Sequence, residues 1–320
     1  MLQTIQRVVK TREFGLVALI AIVFVVLSLT NENFLRTGNL IATAVGMCGI
    51  LMVTAGMTIA LISGGFDLSV GGVVAMTSVI MIALVDHVGA PTAVLLSFCA
   101  AWVVGLVNGV LIAKVGINPL ITTLGTLGMA KGIAQVVSKG TIVTSNTNLP
   151  DWFNAIGSSR VLGIPLMIVI TWTVIVVGDI LVRRGRFFRN VFFLGGSERA
   201  AMFAGLRVPR IQMMVYLLSS TLAAFAGFLL ASRFGAATAD FGTGYELQAI
   251  AAAVIGGASL SGGAGTLAGS FLAIMLLALV QDSIVLYRVS VYWQDFISGV
   301  ILVLAVAINV VVSRGTLFKR

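Results

Sequence analysis

Ten long apolar segments follow one another along this chain, and that succession limits the folds open to it. A transmembrane helix needs about 20 apolar residues, and only the eighth segment is clearly short. The chain is 59% hydrophobic and 10% charged, whereas soluble domains are roughly 25% charged. We therefore predict an all-α polytopic membrane protein with one transmembrane domain over residues 1–320. The predicted spans are 14–30, 39–62, 68–85, 92–113, 118–137, 161–182, 211–231, 246–259, 264–286 and 294–312.

Lysine and arginine fall mostly on one side of the predicted membrane domain. If the N-terminus is cytoplasmic, fourteen of these residues lie on the cytoplasmic side and five on the other. Because cytoplasmic loops carry the excess of positive charge, both termini are predicted to be cytoplasmic. The loop at 138–160 is then periplasmic, and its Trp152 and Phe153 suit an anchor at the membrane surface. The net charge of +9 reflects this bias and does not indicate nucleic-acid binding.

A glycine-punctuated octapeptide occurs twice, 192 residues apart. Residues 64–71 and 256–263 share the pattern G-G-x-x-L-S-x-G, and each copy separates two apolar segments. Broken helices within a repeat are typical of transporters, although small residues also gather wherever membrane helices pack. Unwound backbone at membrane depth must be shielded by protein or water, so both breaks are predicted to face a translocation path. The candidate path residues, from the breaks and from spans 5 and 9, are Asp67, Ser69, Thr123, Lys131, Ser261 and Gln281.

The cytoplasmic loop at 183–210 contains one short predicted helix. Ser197 suits its N-cap, and Glu198 falls in the first turn, where a negative charge is favourable. Gly205 ends the segment, and Pro209 prevents its continuation. A helix of about two turns is marginal in isolation, so we predict that it docks on another protein. The expected contact residues are Glu198, Ala201, Met202 and Gly205.

Titratable residues at membrane depth are few, and none suggests enzymatic chemistry. Asp67 is expected to accept hydrogen bonds from the amides that begin the third span. Asp179 precedes Arg183 by four residues, which is the spacing of a helical ion pair. His87 is the only histidine, so neither a zinc site nor a catalytic triad can be assembled around it. The chain is predicted not to be an enzyme and to carry no metal or cofactor.

A collinear set of motifs resembles one transporter family. The resemblance covers roughly residues 15–312 and points to the permease subunits of ribose-type bacterial ABC importers. The motifs are G-G-F-D-L-S-V-G at 64–71, T-L-G-T-L-G at 123–128 with Lys131-Gly132, G-G-S-E at 195–198, G-L-R-V at 205–208, G-T-G-Y-E-L-Q-A-I-A-A at 242–252, the second glycine copy with Ala264-Gly265, and Tyr292-Trp293-Gln294 with Gly299.

The resemblance implies import of a monosaccharide or similar small polyol across the bacterial inner membrane. It implies three partners: an ABC ATPase subunit that binds the ATP, a second permease chain, identical or related, and a periplasmic substrate-binding protein. It also implies that the helix at 198–205 is the coupling helix, which inserts into a groove of the ATPase. The chain departs from the family's usual residues at Phe66, Lys131 and Ser197. Because Phe66 lies in the first glycine copy and alters the side chain there, the resemblance does not identify the sugar.

Two other functions remain compatible with the sequence. A self-sufficient secondary transporter of a small polar solute needs a coupling-ion site and usually inverted repeats. Here the two copies run in the same direction, and acids at mid-membrane are sparse. An uncoupled pore for small polyols would not need the helix in the 183–210 loop. Co-purification with an ATPase, and dependence of uptake on that ATPase, would separate these functions from the importer.

Overall fold

The structure, a computed structural model, describes residues 12–146 and 149–290 and six further positions between 293 and 303. The predicted tenth span, 294–312, therefore lies mainly outside the described residues. Within the described part of the chain, eight helices are long and apolar enough to cross a membrane, and one apolar helix is shorter. The all-α polytopic fold predicted from the sequence is confirmed.

Twelve α-helices lie within the described residues. They are α1 (Arg12–Thr30), α2 (Thr37–Ile62), α3 (Val70–Val88), α4 (Ala90–Val110), α5 (Pro119–Ser138), α6 (Asp151–Ser158), α7 (Leu166–Arg184), α8 (Arg186–Gly196), α9 (Glu198–Phe203), α10 (Val208–Phe234), α11 (Tyr245–Ile255) and α12 (Leu267–Leu286). A π-helical turn, Leu111–Val115, continues α4. Two short antiparallel pairs join β1 (Val143–Thr144) to β4 (Ala236–Ala237) and β2 (Arg160–Val161) to β3 (Ile164–Pro165).

Helices α2, α3 and α10 form the centre of the bundle. Every residue of α2 from Met47 to Ile62 is buried, as expected for a helix that is apolar on all sides. Helix α10 packs against α2, α3 and α4. Small residues allow this close approach, since a β-carbon at Gly56 of α2 would lie only 3.1 Å from the Cα of Ser219 in α10.

The outer helices expose large apolar side chains instead of polar ones. Examples are Ile22 on α1, Val103 on α4, Ile121 on α5 and Val176 on α7. A soluble monomer rarely carries contiguous apolar surface of this extent. The outward faces of these helices therefore suit lipid tails or another membrane chain.

The segment predicted as the eighth span is a short helix, as the sequence indicated. Helix α11 has 11 residues and ends at Gly256, so it is too short to cross a bilayer of about 30 Å. The second break follows it and leads into α12. The sixth span begins at Leu166, five residues later than predicted, because the β2–β3 hairpin occupies residues 160–165.

Two predictions for the connecting loops need correction. Phe153 does not reach the membrane surface: it is buried, its ring packs edge to face on Phe228, and its carbonyl oxygen accepts a hydrogen bond from Ser232. Trp152 is half exposed, as a surface anchor requires.

The loop at 183–210 contains a second helix, α8, that sequence reasoning missed, because arginines interrupt its phenylalanines and no apolar run marks it.

Candidate functional site

The two glycine copies share one turn hydrogen bond, although their backbones differ elsewhere: the left-handed glycine of the pair is Gly64 in the first copy and Gly257 in the second. In the first copy the amide of Ser69 donates to the carboxylate of Asp67 at 3.1 Å, and in the second the amide of Ser261 donates to the hydroxyl of Ser259 at 3.2 Å. These residues occupy the fourth and sixth positions of each copy. A side-chain oxygen that accepts from the amide two residues later favours a turn over a continued helix. The repeat thus keeps one local hydrogen bond in the structure. Of the capping predicted for Asp67, the hydrogen bond from the amide of Ser69 is present, but no side chain caps the first amides of α3 itself.

The two breaks meet against the glycine pair that ends α8. The N–H of Gly263 donates to the carbonyl oxygen of Ile62 at 2.9 Å, which joins the second break to the end of α2. A β-carbon at Gly195 would overlap the Ile62 oxygen and lie 2.6 Å from the Gly263 nitrogen. A β-carbon at Gly262 would lie 2.9 Å from the Cα of Gly64. We call this contact between Ile62, Gly64, Gly195, Gly262 and Gly263 the glycine junction.

Helix α9 starts immediately beyond the glycine junction, with the N-cap and the terminating glycine that the sequence predicts. The hydroxyl of Ser197 accepts a hydrogen bond from the amide of Ala200 at 3.2 Å. Gly205 has a φ of +78°, in the left-handed region that glycine adopts at little cost. Its N–H donates to the carbonyl of Met202 at 3.0 Å, and the N–H of Leu206 donates to the carbonyl of Ala201 at 3.0 Å, which forms a Schellman motif.

One face of α9 packs on the chain and the other is exposed. Ala201 is fully buried, so it holds α9 against the body and does not reach the surface. Glu198 and Gly205 are exposed, Met202 is 52% exposed and Phe203 is 92% exposed. Sequence reasoning placed Phe203 within the docking helix but did not single it out. An aromatic ring this exposed, beside a methionine, is typical of a contact with another molecule.

Helix α8 is amphipathic and holds α9 in place. Its Val191 and Leu194 are buried, while Arg186 and Arg189 are exposed. Arginines on the polar face of such a helix suit the plane of a membrane surface. Helix α8 ends in Gly195-Gly196, so its last turn forms part of the glycine junction and lies directly before α9.

A polar cavity of about 500 Å³ opens beside the glycine junction. Both breaks, the turn between α4 and α5, and the start of α9 contribute to it. Two residues predicted from the sequence, Glu198 and Ser261, line this cavity. The other polar side chains in its lining are Ser63, Lys114, Asn118, Gln212 and Tyr216. Its place beside the 183–210 loop, together with the charge count, puts the cavity on the side predicted to be cytoplasmic, and we call it the inner cavity.

A buried chain of hydrogen bonds ties the first break to α4 and α5. The hydroxyl of Thr126 donates to Oδ1 of Asn108 at 2.7 Å, the amide of Asn108 donates to the hydroxyl of Ser69 at 3.0 Å, and that hydroxyl donates to Oδ1 of Asp67 at 2.5 Å. All four side chains are buried, as is the predicted path residue Thr123. In this conformation Asp67, Ser69 and Thr123 therefore do not line a solvent-filled cavity.

The remaining path candidates lie toward the other end of the bundle. Gln281 lines a second cavity of about 340 Å³ between α2, α11 and α12, together with Gln248 and Asp282. Lys131 donates to the hydroxyl of Thr243 at 3.3 Å. Of the six candidates, Ser261 and Gln281 line cavities at opposite ends, and the centre between them is packed.

The predicted pair of Asp179 and Arg183 is confirmed, with Oδ2 and Nε 2.6 Å apart.

Cysteine labelling should distinguish the two breaks, which the sequence alone treats as equivalent. In a background of Cys48→Ala and Cys99→Ala, Ser261→Cys should react with a small water-soluble thiol reagent, because Ser261 is exposed beside the inner cavity. Ser69→Cys should stay unreacted, because Ser69 is fully buried. The mass shift of the intact chain measures the labelling, with Val25→Cys as the apolar-surface control. Equal labelling of both break positions would contradict the burial described above.

Comparison with known proteins identifies a family for most of the chain. Residues 39–306 match the family described as branched-chain amino acid transport system / permease component. The chain is 33% identical over 300 residues to the ribose import permease protein of Escherichia coli strain K12, with 92% of each chain covered. It is 32% identical over 290 residues to that of Bacillus subtilis strain 168, covering 90% of this chain and 89% of the relative. It is 37% identical over 298 residues to the L-arabinose ABC transporter permease protein of Azospirillum brasilense, covering 91% and 86%. No solved structure matches the chain.

The matched region contains the features of the candidate site. Both glycine breaks, helices α8 and α9, the inner cavity and the buried hydrogen-bond chain all lie within residues 39–306. The membrane helices and the repeat are what a multi-pass transport permease requires, and the matched proteins are permeases, not enzymes. This chain therefore belongs to the family of the branched-chain amino acid transport system permease component.

Proposed function

We propose that this chain is the membrane-spanning subunit of an ATP-driven importer in the bacterial inner membrane, and that its solute is a monosaccharide or a similar small polyol. The observation that carries the proposal is similarity over about nine-tenths of the chain to permeases named for ribose and arabinose. The family description names amino acids, but the matched relatives named above transport sugars. The polar lining of the inner cavity suits a hydroxylated solute.

Helix α9 is the proposed contact with the ATPase subunit. Its support is the exposed pair Met202 and Phe203 on a short helix that the rest of the chain caps and holds. ATP binding by the partner would move α9, and α8 would carry that movement to the glycine junction. Because both breaks meet there, one displacement at α9 would act on both halves of the repeat and on the inner cavity between them.

A second permease chain is the proposed neighbour of α5. One side of α5 packs on α3, and the other carries Gly125, Gly128 and Gly132 with open space around them. Their spacing places them along one helix face, and small residues let membrane helices approach closely. The path would run between two copies along this face, with a periplasmic binding protein delivering the solute at the outer end. The count of lysine and arginine on the two sides supports the proposal that both termini are cytoplasmic.

Uptake should depend on the partner ATPase. When the chain is produced with its ATPase subunit and its binding protein, cells should accumulate radiolabelled ribose or arabinose. The same cells should lose uptake when the ATPase carries an inactivating substitution in its phosphate-binding loop, because the permease has no energy source of its own. Co-purification measures assembly in both cases. Uptake that persists with an inactive ATPase, in the presence of a sodium or proton gradient, would instead indicate a self-sufficient secondary transporter.

A further inference from the structure

A second cavity lies at the end of the bundle opposite the inner cavity. Helix α2 ends and α12 begins beside the glycine junction, whereas this cavity is lined by Asn39 in the first turn of α2 and by Gln281 and Asp282 near the end of α12. The charge count predicts this end to be periplasmic, and we call the cavity, of about 340 Å³, the outer cavity. It lies between helices of a single chain, and α5 contributes no residue to its described lining.

The outer cavity has a polar wall in which two side-chain amides are free. The amide of Asn39 donates to Oδ2 of Asp282 at 2.9 Å, which holds these two side chains in place. Among the residues that the structure describes, the side-chain amides of Gln248 and Gln281 have no hydrogen-bond partner. All four residues are half-buried, so a ligand in the cavity can reach them. The wall therefore offers a ligand two free amides and a carboxylate that is already held in position.

These groups suit a neutral ligand with several hydroxyl groups. A side-chain amide both donates and accepts hydrogen bonds, as a hydroxyl does, and a carboxylate accepts them from hydroxyls. The described lining contains no lysine, arginine or histidine, so the carboxylate of an amino acid would enter without a counter-charge, which is unfavourable. Met47, Ile50 and Ile274 form an apolar wall that suits the C–H face of a sugar ring. A cavity of this volume is small for a ligand pocket, so it suits one ring and not a chain of them.

We propose that the outer cavity binds one monosaccharide in each permease chain, before the solute enters the path between the two chains. The proposal rests on the proposed importer function and adds to it a site that lies within the single chain. Helix α11 connects this site to the path: its Gln248 lines the outer cavity, and Thr243, just before α11, accepts a hydrogen bond from Lys131 of α5 at 3.3 Å. Binding is expected to be weak, because a transport site must release the solute that it admits.

Saturation-transfer NMR on the purified chain tests this site, since the method detects weakly bound ligands. The protein is kept in a detergent without a sugar headgroup, because such a headgroup would compete for the cavity. Irradiation of the protein's methyl groups should transfer saturation to ribose or arabinose, and not to leucine, and a titration gives the dissociation constant. ATPase-dependent uptake by the complete importer, measured in parallel, decides the proposed function independently of this site.

A leucine at Gly46 should fill the outer cavity without disturbing the helices around it. Gly46 lines the cavity, and nothing lies within 4 Å of a β-carbon at this position. Gly46→Leu should raise the dissociation constant of the sugar by at least about tenfold, since the added side chain takes the place of the ring and breaks its hydrogen bonds. The matched control is Gly38→Leu on the same helix, which also has open space around its β-carbon but does not line the cavity, and it should leave the affinity unchanged. Thermal unfolding verifies the fold of both variants.

A second variant keeps the test decisive if Gly46→Leu does not fold. Gln281→Met keeps a side chain of similar length and removes its amide, so the dissociation constant should rise by about tenfold, as expected for the loss of one or two hydrogen bonds. Absence of saturation transfer to both sugars, or stronger transfer to leucine, would overturn the proposal. A sugar titration unchanged by Gly46→Leu, or unchanged by Gln281→Met, would place the sugar elsewhere and equally overturn it. Uptake that depends on the ATPase would leave the importer function standing in each of these cases.

Discussion

Gly195→Ala is expected to remove most of the folded, transport-competent protein from the membrane. The added β-carbon would overlap the carbonyl oxygen of Ile62 and lie 2.6 Å from the nitrogen of Gly263. Those two atoms form the 2.9 Å hydrogen bond that joins α2 to the second break. Both are backbone atoms, so no rotamer change relieves the overlap, and the helices must separate. Overpacking of this kind costs about 3 kcal/mol, a large part of the stability of a typical protein domain.

The adjacent residue provides the matched control for that experiment. Gly196→Ala adds the same methyl group one position later, where nothing lies within 4 Å of a β-carbon, and it should leave yield, unfolding temperature and uptake close to normal. The measurements are membrane yield, thermal unfolding of the purified chain and solute uptake. If the two alanine variants behave alike, the glycine junction does not hold the breaks together, and its proposed part in coupling fails with it.

Much of the fold could be predicted from the sequence because it depends on the polarity of continuous segments and on contacts between residues close together in the chain. Apolar segment length fixes where a helix can cross a membrane, and the described spans fall where those segments lie. Ser197 and Gly205 define the ends of α9 through contacts within a few residues. The two glycine copies form the same turn hydrogen bond because the fourth residue of each carries a side-chain oxygen.

The parts of the site that sequence reasoning missed depend on residues far apart in the chain. Asn108, Thr126 and Ser219 look like ordinary small or polar residues of packed membrane helices, and nothing in their spacing shows that they surround the first break. The burial of Ser69 and the exposure of Ser261 also differ, although the motif is shared, because α4 and α5 cover only the first copy. The one available signal was the glycine pair Gly195-Gly196 in the 183–210 loop, which the sequence analysis did not connect with the two breaks.

Sequence reasoning also missed α8 and assigned Ala201 to the exposed face of α9, because both depend on how the helices pack. Helix α8 carries two phenylalanine pairs interrupted by Arg189 and Asn190, so it contains no apolar run long enough to be counted as a span. The sequence showed that α9 exists but not which of its faces is covered. Only the packing of α9 on its neighbours assigns Ala201 to the interior and leaves Phe203 outside. That assignment changes which residue should matter most for assembly with the ATPase.

Phe203→Glu is therefore expected to release the ATPase subunit without unfolding the permease. The side chain is 92% exposed in this chain, so its loss removes no internal packing, and a charge placed in a hydrophobic groove of a partner is strongly unfavourable. A central aromatic anchor contributes about 2 kcal/mol or more to an interface, which corresponds to roughly a 30-fold loss of affinity. Co-purification of the ATPase and solute uptake should both fall, while the unfolding temperature of the isolated permease stays within normal scatter.

Leu162→Glu is the matched control, because Leu162 is 97% exposed at the turn of the β2–β3 hairpin, on the side that the charge count predicts to be periplasmic. The substitution introduces the same charge at an equally exposed apolar residue, and it should leave ATPase binding intact. Met202→Glu, at the half-exposed neighbour of Phe203, should give a smaller loss than Phe203→Glu, since less of its surface is available to a partner. If the ATPase co-purifies equally well with the Phe203 and Leu162 variants, α9 does not dock through its exposed face. The contact with the ATPase would then have to involve other exposed residues of the 183–210 loop, beginning with the arginines of α8.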